Sequence, residues 1–295
     1  MWLIFALAAP FFWALVHVLD EYCIDNVLER PWMGVVTSSL ASIVVYCFVP
    51  FLVPYPLWTQ VETHWVLMAF GVGILIQLSQ FFYFNALSYS EAGIVAAYWN
   101  FVPAFLPLVS FLVYSDVLSL REYLGIFILI IASTSMCLLD FHHKTRGVTL
   151  FLMLIASFFQ VVAYTLMTDI YAHVNFFLAY TFIISGLIFC GIVPLVFKTV
   201  RKEIYTTFRG KSSTTAFFLL IELANLIALG CAQMAIKLGD ASLVAAVETT
   251  IPAFVFLLSV AFVKSLNVAQ DALFSSFTSK MMIVGVMIFG VWLVS

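Results

Sequence analysis

Charge is what this sequence has least of. Asp, Glu, Lys and Arg make up 9% of its 295 residues, against 64% hydrophobic. A soluble domain of this length could not hide that much apolar surface, so the expected class is an all-α polytopic membrane protein. The short alternating segments of a transmembrane barrel are missing, and long continuous apolar runs stand in their place. No basic block of the kind that neutralises phosphates occurs, which excludes a nucleic-acid partner. No GxxxxGK[ST] loop occurs, so ATP-driven pumping by this chain is not expected. The five cysteines, Cys23, Cys47, Cys137, Cys190 and Cys231, stand singly in apolar runs. They form no CxxC pair or Cys/His cluster, and no metal or cofactor is expected. The opening "MWLIFALAAPFFWALVHV" lacks a basic n-region and reads as a first spanning helix, not as a cleaved signal. The nearest thing to a catalytic cluster is Asp140 with His142 and His143. It reads as a solvated turn, so no catalytic residues and no enzymatic activity are expected.

The apolar runs predict ten helices, at about 2–22, 32–53, 64–88, 92–114, 121–140, 148–170, 175–197, 214–237, 241–263 and 279–295. Ten basic residues fall on one side of this arrangement: Arg30, Lys144, Arg146, Lys198, Arg201, Lys202, Arg209, Lys211, Lys264 and Lys280. Arg121 and Lys237 fall on the other. The positive-inside rule then places both termini outside the cytoplasm. The expected setting is a bacterial inner (plasma) membrane, with the lipid bilayer as partner. A homodimer is compatible with the sequence, but a monomer is sufficient.

One phrase is written twice. Residues 86–108 align with 235–257 at a constant offset of 149, with nine of twenty-three positions identical, against about two by chance. The first copy reads "AAYWNFVPAF" and the second "AAVETTIPAF". A fainter echo at offset 147 sets "PFFWALVHVLDEY" (10–22) over "SFFQVVAYTLMTD" (157–169), which pairs His17 with Tyr164. The expected organisation is two five-helix repeats, 1–143 and 144–295, in one integrated domain. An odd number of helices inverts the second copy, and inverted repeats suit a carrier that exchanges inward- and outward-open states.

The stretch 85–133, "NALSYSEAGIVAAYWNFVPAFLPLVSFLVYSDVLSLREYLGIFILIIAS", and its second copy at 234–263 resemble the drug/metabolite transporter superfamily, EamA type. The shared pattern is a small-residue turn, a mid-helix proline, a closing acid (here Asp116) and a glycine in the fifth helix (here Gly125). The second copy departs from it, with Lys264–Ser265 in place of the closing acid. The resemblance implies a ten-helix basket around a central cavity that takes a small-molecule substrate by alternating access.

Glu248 is the costliest residue here, an acid about 12 Å into an apolar helix at 1.5 Å per residue. It is the first candidate for binding substrate and for carrying a coupling proton. Glu222 and His17 are further proton-coupling candidates. Pro103 and Pro252 each remove a backbone hydrogen bond to the carbonyl four residues earlier, that of Trp99 or Glu248. Trp13, Tyr83, Tyr98, Trp99 and Tyr164 could offer aromatic faces to an ammonium group. Gln77, Gln80, Asn85, Asn100, Gln160, Thr249 and Thr250 could add orienting contacts. No Lys or Arg is expected well inside a span, which disfavours phosphorylated substrates. The expected substrate is therefore a small cation or zwitterion such as an amine, a choline-like compound or an amino acid. The alternatives are a carrier of a neutral aromatic or phosphorylated metabolite, or a non-transporting membrane sensor or scaffold. Trp99 and Glu248 are expected to face one another across the cavity.

Overall fold

The computed structural model describes residues 1–26, 33–90, 92–139, 147–209, 212–266 and 277–295. The regular elements among them are all helices: α1 Trp2–Asn26, α2 Met33–Ala41, α3 Val49–Leu52, α4 Tyr55–Gln60, α5 Thr63–Leu87, α6 Ala92–Trp99, α7 Phe101–Tyr114, α8 Leu120–Leu138, α9 Gly147–His173, α10 Phe176–Ile192, α11 Lys198–Phe208, α12 Ser212–Leu238, α13 Ala241–Glu248, α14 Ile251–Leu266 and α15 Phe277–Val294. Among the described residues, eight spans are long and apolar enough to cross a membrane, with α6–α7 and α13–α14 each counted as one. Two shorter apolar stretches, Trp2–His17 and Met33–Cys47, accompany them. The chain is thus a polytopic α-helical membrane protein.

Three helices depart from the expected lengths. The second run, expected unbroken over 32–53, is helical only to Ala41, tightens to a 3-10 helix over Ser42–Cys47 and resumes as α3. Thr37 Oγ1 and Ser42 Oγ each donate to the carbonyl four residues back, at 3.1 and 2.9 Å. Such back-bonding competes with the helical ladder, and Pro50 then cannot donate to it. The stretch expected as a basic loop contains α11, whose Lys198, Arg201 and Lys202 lie in its first turns. The fourth and ninth runs break in the middle, at Asn100 and at Thr249–Thr250.

The two ends of the bundle can be told apart. Trp2 packs on Gly239, beside Lys237, whose Nζ lies 5.9 Å from the Phe176 ring centre. Arg121 Nη2 donates to the Trp292 carbonyl at 2.5 Å. One end therefore gathers both chain termini, Arg121 and Lys237, and is called here the charge-poor end. Lys198, Arg201, Lys202 and Arg209 mark the opposite, basic end. Lys280, expected in a loop, is instead the fourth residue of α15, 5% exposed, with Nζ 5.5 Å from the Phe256 ring centre. Its aliphatic stem can be buried in the helix packing while the ammonium sits on an aromatic face.

The broadest packing joins α5 to α9 and α10, α1 to α12, and α8 to α15. The α5–α10 seam is a backbone contact. A Cβ on Gly73 would lie 1.9 Å from Ile183 O, and one on Gly186 would lie 1.9 Å from Phe70 O. Small residues let membrane helices approach this closely, where dispersion has to replace the hydrophobic effect. The α2–α12 packing is much sparser. Near the charge-poor end α13 packs on α7, where Ser242 Oγ donates to Ser110 Oγ at 3.5 Å.

Candidate functional site

The site is built where α13 stops. Asp240 caps this helix, with Oδ1 accepting from the Ser242 and Leu243 amides at 2.7 and 3.3 Å. All eight residues of α13 are buried. Four residues beyond its end stands Pro252, which has no N–H for the Glu248 carbonyl, and the helix breaks before it. The break is closed from within. The Thr249 and Thr250 amides turn back to Ala246 O and Val247 O at 3.2 and 3.0 Å. Their hydroxyls donate to the same two carbonyls, each at 2.7 Å. The threonines expected to orient a ligand therefore satisfy the backbone first, as apolar surroundings demand.

Glu248, the last residue of α13, is 8% exposed. Tyr164 of α9 donates its hydroxyl to this carboxyl, with Oε2 at 2.7 Å and Oε1 at 2.9 Å. Tyr164 is itself 3% exposed, and Gln160 stands one turn before it on the same helix. Gln160 Oε1 and Ser157 Oγ are buried with no hydrogen-bond partner. Ser157, Gln160 and Tyr164 follow at spacings of three and four, which puts them on one face of α9. The sequence analysis did not single out Ser157. A serine one turn before a glutamine in the helix that echoes α1 was the available signal.

The other expected residues form two separate groups. Glu222 of α12 is 8% exposed, and its Oε1 accepts from Ser38, Asn225 and Ser42 at 3.0, 3.1 and 3.3 Å. Trp13 Nε1 donates to Asn225 Oδ1 at 3.0 Å. Trp13 is thus held by its polar edge in a knot joining α1, α2 and α12. Ser38 and Ser42 were not foreseen, although "TSSLAS" is an unusual run in an apolar helix.

The third group is aromatic. Trp99 meets Tyr83 edge to face, with centroids 5.4 Å apart, beside the cluster formed by Ala86, Val95, Met153 and Ala156. Tyr98 stacks on Phe101 at 5.8 Å.

Trp99 thus meets Tyr83 and Glu248 meets Tyr164, while Trp99 also packs on the core cluster that contains Tyr164 and Val247. α7 ends with Tyr114 Oη donating to Asp169 Oδ2 at 3.0 Å, near the charge-poor end of α9. The α6–α7 pair therefore runs from the basic end, and α13 runs from the charge-poor end. Trp99 and Glu248 are each the eighth and last residue of their helix.

Several orienting residues serve the scaffold. Asn100 Nδ2 donates to Thr134 Oγ1 at 3.0 Å and ties the α6–α7 break to α8. Gln77 Nε2 donates to Val35 O and to Ser39 Oγ, both at 2.9 Å. Asn85 donates to Phe81 O of its own helix at 2.7 Å. Gln80 is half-buried in α5, Pro103 is buried and Pro252 half-buried. His17 is exposed on α1. His142 and His143 lie outside the described residues, as do the side chains of Asp20 and Glu21. Two surface grooves, of about 390 and 450 Å³, are lined almost wholly by apolar side chains, and neither includes Glu248.

One buried acid, Glu248, thus stands at a helix break and another, Glu222, inside an unbroken helix, within a bundle of apolar helices. The comparison with known families agrees. Residues 1–137 match the model of the EamA-like transporter family. The EamA-like match ends at the close of α8 and covers the stretch with Pro103, Asp116 and Gly125. Gly125 lies against α15, where a Cβ would sit 2.6 Å from Val294 Cγ1. A crystal structure of another protein, 14% identical, covers all of this chain and 96% of its own, with a TM-score of 0.72. That likeness concerns the fold. No curated protein matches the sequence. That family is one of membrane transporters, and this chain is an integral membrane protein whose first 137 residues are similar to it.

Proposed function

We propose that this EamA-like chain is a secondary carrier, working by alternating access, for a small cationic or zwitterionic metabolite: an amine, a choline-like compound or an amino acid. The observation that carries the proposal is Glu248, an acid buried at a helix break and held by Tyr164. An intramembrane acid is costly and marks an ion or substrate path. Its charge suits a cation, and α9 and α13 contain no Lys or Arg to hold an anion. Lys280 does not alter this, because α15 packs on α8 and α14.

Two five-helix halves fit the packing. Exchanging each helix with its counterpart turns the α5–α9 contact into the α12–α1 contact, and both are among the broadest. The breaks at Asn100 and Thr249 also correspond at the offset of 149. Glu248, Glu222 and His17 are the groups through which protons would couple to transport. With both termini outside the cytoplasm, the basic end would be cytoplasmic.

The test is uptake into liposomes containing the purified protein, with and without an imposed pH gradient. Choline, polyamines and amino acids are supplied as labelled substrates, beside Glu248→Gln. Saturable uptake of one of these cations or zwitterions that falls at least about 100-fold in Glu248→Gln is the expected result, since an essential site acid is lost. Full coupled uptake by Glu248→Gln would remove Glu248 from the mechanism. Uptake confined to sugar phosphates would refute the substrate class.

A further inference from the structure

The α9 face beside Glu248 carries more acceptors than the fold uses. Ser157 is 1% exposed and Gln160 6%, yet Ser157 Oγ and Gln160 Oε1 have no partner. Most buried polar atoms are hydrogen-bonded, so an orphan calls for an explanation. Two on adjacent turns, continuous with the Tyr164–Glu248 pair, have a common one. Gln160 Oε1 is an amide oxygen and can only accept, and it stands one turn before Tyr164 on the same face of α9. From Ser157 to Tyr164 the strip is seven residues, about 10 Å. It offers an amide oxygen and a hydroxyl, and Glu248 lies at its end.

We infer that Gln160 and Ser157 recognise N–H groups, and that the carrier takes ammonium compounds that keep their N–H donors and discriminates against fully methylated ones. This deepens the proposed function and rests on it. A carboxylate alone does not distinguish the two classes, because both carry one positive charge. Gln160 Oε1 does, since a primary ammonium has three N–H donors and a quaternary ammonium has none. Binding the quaternary ion would leave both acceptors buried and unpaired. A site built to hydrogen-bond a ligand group rejects the analogue that lacks it, here by at least about tenfold per acceptor.

The test uses benzylammonium and benzyltrimethylammonium as probes of the purified full-length protein, read by concentration-dependent thermal shift. The expected result is saturation by benzylammonium at a concentration at least about tenfold lower. Gln160→Met keeps the side-chain volume, and it should close that gap by weakening benzylammonium alone. Because it removes an unpaired buried acceptor, unliganded Gln160→Met should melt no lower than the parent protein. Ser157→Ala should narrow the gap as well. Equal saturation by the two probes in the parent protein overturns the inference and leaves the cation reading standing. A gap that survives in both variants, or a gap that survives while Gln160→Met loses stability, makes the residues structural and also overturns it. If neither probe shifts the protein, both this inference and the proposed function fall.

Discussion

The α5–α10 seam gives the sharpest test of the architecture. In Gly73→Ala the new methyl would sit 1.9 Å from Ile183 O and 2.6 Å from Leu187 N. Both obstacles are backbone, so no side-chain rotation relieves them. Ordinary contact begins near 3.4 Å, so the two helices must part by about 1.5 Å along much of a broad interface. Overpacking of a well-fitted core costs about 1–3 kcal/mol, and an obstacle that is all backbone belongs at the upper end, about 3 kcal/mol. The control lies two residues away on the same helix. A Cβ on Gly71 meets nothing within 4 Å, so Gly71→Ala should be neutral or stabilise by up to about 1 kcal/mol through helix propensity. Equilibrium unfolding of both variants in detergent, read by circular dichroism, supplies the comparison. Gly73→Ala within about 0.5 kcal/mol of Gly71→Ala would refute the seam.

Three further outcomes follow from single contacts. Tyr164→Phe leaves the buried Glu248 carboxyl without its hydroxyl donor and should destabilise by about 2 kcal/mol. A double-mutant cycle with Glu248→Gln should show a coupling of about 1 kcal/mol or more, and additivity would contradict the contact. Ser38→Ala combined with Ser42→Ala removes two donors from Glu222 and should lower stability by about 2 kcal/mol. Ser119→Ala breaks a capping box in which Ser119 Oγ accepts from the Glu122 amide at 3.3 Å. A loss of about 1 kcal/mol is expected in the same unfolding assay.

The helices that matched the sequence analysis are those whose ends are set locally. The sixth was expected at 148–170 and runs Gly147–His173, and the fifth was expected at 121–140 and runs Leu120–Leu138. Apolar length and flanking Pro, Gly and charge were enough for these. The prolines also marked the regions of the two mid-helix breaks. The second run went wrong because Ser42 and Thr37 compete for their own carbonyls, which apolarity does not register. α11 was missed because amphipathic helices at an interface have no long apolar run. Lys280 was placed in a loop because its burial depends on Phe256, another helix. The partners of Glu248 and Glu222 are 84 and 184 residues distant at their farthest, and no local pattern announces them. Trp99 and Glu248 were paired from their matching places in the repeat.

The helix break at Thr249–Thr250 has a mechanical consequence. Bending a helix in lipid ordinarily exposes carbonyls that no solvent can satisfy. Here Ala246 O and Val247 O already have threonine hydroxyls, each 2.7 Å away and on its own turn. These local bonds travel with α13 when α14 swings. The junction is therefore a hinge whose rotation sacrifices little hydrogen bonding, with Glu248 on its last fixed turn. Asn100, at the matching place, is tethered to α8 instead. Of the two junctions at the offset of 149, the one beside Glu248 is closed by its own threonines and the one beside Trp99 is tied to α8, so motion should begin at the first.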